Sequence, residues 1–116
     1  MIRLIHTRTG TTLASRIEIA RNLFSRMRGL LGREALPAGG GMLIERCASI
    51  HTFFMRFPID ALFVDSQLTV VRTVRHLGPW RLAAALGASA CVELPAGALD
   101  DADVRPGDVL ALEDVP

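Results

Sequence analysis

The chain has 116 residues, half of them hydrophobic and 22% charged, with 13 basic side chains (all arginine) against 12 acidic ones. This is the make-up of one folded domain, residues 1–116, long enough to bury roughly two-thirds of its unfolded surface without disulfide or metal staples. It excludes a disordered chain, and no apolar run approaches the ~20 residues of a membrane helix, so no membrane partner is expected.

Residues 2–8 and 11–20 read as a hairpin about Thr9-Gly10, with Leu13, Ser15, Ile17 and Ile19 on one face. Leu23, Phe24, Met27, Leu30 and Leu31 make one apolar stripe at the 3.6-residue period. That stripe predicts a short helix, N-capped by Asn22 and stopped at Gly32. Residues 37–41 form a glycine-rich loop without the lysine and Ser/Thr of a phosphate-binding loop. Strands are expected at 41–45, 50–57, 60–64 and 69–76, the last two joined by a turn at Asp65-Ser66-Gln67. Residues 79–86 read as a short helix opened by Pro79 and ended by Gly87, residues 90–94 as a strand, and 100–103 as a helical turn. Pro106-Gly107 suits the central pair of a type II turn and launches a last strand at 109–112. The pattern predicts a mainly β fold: a compact antiparallel sandwich or barrel with two or three short helices.

Charge is uneven. Residues 1–58 hold nine arginines and three glutamates; residues 59–116 hold four arginines and nine acids. The two halves are expected to pair within one fold, and too few aromatics accompany the arginines for a nucleic-acid surface. Cys47 and Cys91 form no CxxC pair and read as buried thiols in a reducing compartment. The N-terminus lacks an apolar segment followed by a small-residue cleavage site, and the expected location is cytoplasmic.

The richest stretch runs from Ile50 to Asp65, where His51, Thr52, Arg56, Asp60 and Asp65 stand among apolar residues. Buried polar groups cost several kcal/mol unless partnered, so these side chains either match one another or face a cleft. An extended 50–57 segment would put His51, Phe53, Met55 and Phe57 on one face and Ile50, Thr52, Phe54 and Arg56 on the other. Asp60, after Pro58-Ile59, is placed to cap backbone N–H groups or to pair with Arg56.

The segments Met27-Arg28-Gly29-Leu30-Leu31-Gly32-Arg33, Gly41-Met42-Leu43-Ile44, Phe53-Phe54-Met55, Pro58-Ile59-Asp60-Ala61-Leu62-Phe63-Val64-Asp65, Val92-Glu93-Leu94-Pro95-Ala96-Gly97 and Pro106-Gly107-Asp108 resemble, in this order over about residues 10–112, domain of unknown function family 192. The resemblance implies a compact β fold in bacterial and archaeal proteins with no established activity. Many members carry tryptophan where Phe54 stands, and a longer segment where this chain has only Arg56-Phe57.

Three functions follow from the residue types. A binding module would hold a small ligand or protein in a cleft lined by Phe53, Phe54, Met55 and Trp80, with Thr52, Arg56 and Asp60 supplying polarity. A hydrolase- or transferase-like enzyme would use His51 as general base, Asp60 to orient it, and Cys47 or Thr52 as nucleophile. An assembly protein, monomeric or weakly homo-oligomeric, would use a sheet edge or the arginine-rich helix. No metal or cofactor is expected, because His6, His51 and His76 are scattered outside any ligand motif.

Overall fold

A computed structural model describes residues 1–21 and 36–116. The chain order is β1 (Ile2–His6), β2 (Thr11–Ala14), β3 (Arg16–Ala20), β4 (Gly40–Glu45), β5 (Ser49–His51), β6 (Ile59–Val64), β7 (Val70–Leu77), β8 (Leu82–Ala84), β9 (Ala90–Pro95) and β10 (Leu110–Asp114). They form a sheet β3-β4-β9-β6-β7, a three-stranded sheet β10-β1-β2 and a ribbon β5-β8. Pairing is antiparallel except between β3 and β4, which run parallel, so the five-stranded sheet is mixed. With β3 and β7 at its edges, the five-stranded sheet is open and forms no closed barrel.

β6 explains the architecture. Every residue of Ile-Asp-Ala-Leu-Phe-Val is buried, as befits a central strand covered on both faces. Ala61 and Phe63 face one apolar cluster with Ile44, Ile50, Met55, Phe57 and Ala83, under the β5-β8 ribbon. Leu62 and Val64 face a second with Leu4, Leu13, Leu99 and Leu110, under the three-stranded sheet. Alternation along β6 therefore feeds two cores, one on each side of the sheet.

Gly41 marks a close approach between strands. A Cβ there would lie 2.8 Å from both Ile17 Cδ1 and Leu94 Cδ2 and 3.1 Å from Glu93 O, so a larger residue between β3 and β9 must push these neighbours aside. The type II turn is present: Gly107 has φ +95°, and Asp108 N donates to Arg105 O at 3.0 Å.

Among the described residues there is no helix, and none long and apolar enough to cross a membrane. The helix expected at 23–31 lies outside the described residues. The one expected at 79–86 is instead a turn followed by β8. Five residues of Leu-Ala-Ala-Ala-Leu are too few to nucleate a helix alone, and the N–H groups of Trp80 and Arg81 are taken by Thr52. The helical turn expected at 100–103 is a run of tight turns, with Asp100 N on Gly97 O and Ala102 N on Leu99 O. The first hairpin breaks at Ser15, where Ser15 and Arg16 donate to Gly39 O and the chain passes from one sheet to another.

The strand expected at 50–57 ends at His51, because Thr52 O accepts Met55 N and closes a turn. The simple alternation is thereby lost. Thr52, Met55 and Phe57 are buried, whereas Phe54 and Arg56 are exposed.

Candidate functional site

The polar residues of the central stretch part company. Asp60 is fully buried at the start of β6. Its Oδ1 accepts His76 N at 2.8 Å, and its Oδ2 accepts Gly97 N at 3.2 Å and Leu99 N at 3.0 Å. The carboxylate thus ties the end of β7 to the turns after β9. Cys47 is buried, with Sγ donating to Ser49 O at 2.9 Å. Met55 is buried in the core beneath the ribbon. Arg56 is exposed.

The others converge on Thr52, which is wholly buried. Its hydroxyl donates to Gly78 O at 2.6 Å and accepts Arg81 N at 2.9 Å. Gly78 and Arg81 are the first and fourth residues of a turn, so the hydroxyl bridges the open mouth that a backbone hydrogen bond would otherwise close. The Thr52 carbonyl accepts both Trp80 N at 3.0 Å and Met55 N at 3.2 Å. One threonine therefore holds two turns, 52–55 and 78–81.

Each turn carries an aromatic residue at its third position in the left-handed region: Phe54 at φ +66° and Trp80 at φ +62°. Bulky L-residues seldom adopt this conformation, and it costs of order 1–3 kcal/mol each. Both side chains nevertheless point outward, Phe54 64% and Trp80 55% exposed. Their rings meet at 4.7 Å between centroids, tilted by 59°. Phe53 stacks on Trp80 at 5.7 Å and on His51 at 4.9 Å. His51 Nδ1 accepts Phe53 N–H at 3.3 Å, which fixes the imidazole in this row. Leu82, opposite His51 across the ribbon, extends the apolar surface. The result is an aromatic ledge on the outer side of β5-β8.

A second constellation escaped the sequence reading. His6 is fully buried, with Nε2 2.7 Å from Asp108 Oδ2 and Nδ1 2.9 Å from Thr9 Oγ1. Arg8 grips Asp108 with Nε and Nη2, both at 3.1 Å, and Arg105 N donates to its Oδ2. The Arg8 guanidinium, then the Arg105 N–H and His6, hold the Asp108 carboxyl well below the usual aspartate range. Hydroxyl, imidazole and carboxylate follow one another in contact, but the Arg8 guanidinium and the Arg105 N–H already crowd the acid. Chemically the cluster clips the first hairpin to the Pro106-Gly107 turn. The only sequence signal for it was that turn; nothing in His6 itself announced a partner 102 residues away.

A depression of about 330 Å³ lies elsewhere, beside Ser15, Arg16, Glu18 and residues 36–41. Its Ser15 N and Oγ are both spent on Gly39 O. Among the described residues no three His, Cys, Asp or Glu side chains gather as a metal site.

The sequence model of a family described as "Uncharacterized ACR" matches residues 4–112. A UPF0127 protein of Thermococcus sibiricus is 32% identical over 115 residues, spanning 95% of this chain and 74% of that protein. A solved structure from Sinorhizobium meliloti, labelled a "putative transcription regulator", superposes with a TM-score of 0.77 at 26% identity, over 95% of this chain and 90% of that one. A protein of unknown function from Novosphingobium aromaticivorans shares the fold, with a TM-score of 0.78 at 23% identity, over 95% and 82% of the two chains.

Proposed function

The chain belongs to domain of unknown function family 192, and we propose that within it the chain acts as a binding module whose contact surface is the ledge of His51, Phe53, Phe54 and Trp80. One observation carries this reading: two large exposed rings sit in strained left-handed backbone, held there by a buried threonine. A fold under selection for stability alone would place glycine or asparagine at such positions and gain by it. Rings kept at that cost, in contact with each other and open to solvent, are placed for a partner. Thr52 is then a positioning residue rather than a contact, Met55 supports the ledge from below, and Arg56 is a solvent-facing neighbour in sequence. The catalytic alternative built on His51 and Asp60 has less behind it, because both Asp60 oxygens are occupied by backbone donors.

The test uses Trp80, the chain's one tryptophan. A panel of aromatic and cyclic fragments is titrated while Trp80 emission and backbone amide shifts are recorded. The expected responses fall at residues 51–56 and 78–82 and weaken in Phe54→Gly. Fragments that bind but perturb only other regions would count against the ledge.

A further inference from the structure

We propose that the ledge docks on an anionic membrane surface, inserting its apolar side chains at headgroup depth while arginines engage the phosphates; this rests on the ledge being the binding surface. Four of the eight large apolar side chains exposed among the described residues belong to the ribbon and its turns: Phe54, Trp80, Leu82 at 70% and Leu86 at 101%. Burial alternates along β8 and beyond, with Ala83 and Ala85 inward and Leu82, Ala84 and Leu86 outward. Ala85 N on Ala48 O keeps this extended course past the end of the strand, and Gly87 at φ +89° turns the chain back. The leucines therefore share the outward side of the ribbon with His51, whose ring leads on to Phe53 and Trp80.

The sequence that carries this surface is rich in arginine and poor in acids. Residues 46–59 and 66–92 contain no aspartate or glutamate, although the chain has 12 acidic side chains. The same stretches contain Arg46, Arg56, Arg72, Arg75 and Arg81. Arg46, Arg56, Arg72 and Arg81 are exposed, and Arg72 is moored alongside β8 through Nη1 on Ala84 O at 2.5 Å. Arg75, also exposed, reaches Ala102 O. Ordinary surfaces intersperse both signs. Here two arginine-bearing stretches without an acid of their own carry the projecting hydrocarbon.

The chemistry of the side chains selects the occupant. Tryptophan and phenylalanine suit the amphipathic headgroup layer, and arginine lays its stem along apolar surface while its guanidinium pairs with phosphate. A base-stacking platform would use the rings and arginines but has no use for two outward leucines. Aliphatic and aromatic tips combined with exposed arginines match an anionic lipid interface. The sequence expectation of no membrane partner came from the lack of a spanning segment, which surface docking does not require.

The full chain is mixed with vesicles of phosphatidylcholine alone, or of phosphatidylcholine with phosphatidylglycerol, and sedimented. Thymidine oligonucleotide and buffer serve as parallel arms. The expected result is co-sedimentation with the anionic vesicles only, a blue shift of Trp80 emission, and release by salt. Arg81→Gln should weaken binding about 5-fold, the effect of one basic side chain near a charged bilayer. Leu86→Glu, at a fully exposed position that leaves folding intact by circular dichroism, should abolish the Trp80 shift. Equal binding to neutral vesicles, no binding to either, or a Trp80 response to the oligonucleotide alone would each overturn the proposal. If vesicles fail while fragments still perturb residues 51–56 and 78–82, only the membrane occupant falls; if both fail, the ledge falls with it.

Discussion

Replacing Thr52 by valine removes one hydroxyl from a buried site and leaves the side-chain shape nearly unchanged. The lost group donates to Gly78 O and accepts Arg81 N, so the substitution strands one acceptor and one donor and puts a methyl between them. Leaving a buried polar partner unsatisfied costs ~1–3 kcal/mol. Gly78 is half-buried and the Arg81 side chain is exposed, so water recovers part of this. The expected loss is about 2–4 kcal/mol, out of roughly 6–17 kcal/mol for a 116-residue domain. Thr52→Ser retains the hydroxyl and should lose less than ~1.5 kcal/mol, the cost of one buried methyl. The assay is urea denaturation of both variants, with native-state Trp80 emission recorded beforehand. Because Thr52 O and Oγ1 hold the turn that carries Trp80, the valine variant should also shift that emission. If valine matches wild type within ~0.5 kcal/mol and leaves the emission unmoved, the threonine clamp is not what fixes the ledge.

Phe54→Gly should change stability by less than ~1 kcal/mol in the same assay: relief of left-handed strain offsets the entropy of glycine and the lost ring contact. Asp60→Ala strands three backbone donors in a fully buried site and should cost ~4 kcal/mol or more, read as a collapsed urea midpoint. Gly41→Ala forces Ile17 and Leu94 apart and should lose ~1–3 kcal/mol by thermal melting. Asp108 has a folded-state pKa depressed below its ordinary 3.8, so its contribution is fully present above that value and fades as pH falls below it. Asp108→Asn should therefore be less stable than wild type at neutral pH, with the gap narrowing below about pH 4 in urea midpoints measured across that range.

Much of the β framework was legible because it rests on local signals. Alternating or continuous apolar runs marked β4, β6, β7 and β9, and Pro106-Gly107 marked its turn. Two of the misreadings share one cause. Residues 50–57 look like a strand and 79–86 like a helix, yet the backbone donors in each are claimed by Thr52, 26 to 29 residues from its partners in the second segment. Parallel pairing of β3 with β4 likewise depends on a crossover, which hydropathy does not reveal.

The candidate site divides in the same way. Composition and pattern by themselves determined that this is a mainly β domain, that its polar residues near position 55 are unusual, and that Phe53, Phe54 and Trp80 are its scarce aromatics. Only the tertiary structure decided that Asp60 turns inward to bind backbone, that Met55 is core, and that His51, Phe53, Phe54 and Trp80 form one surface. The reason is physical. Burial follows local periodicity, but the partner of a hydrogen bond and the sign of φ are set by whatever the fold brings alongside.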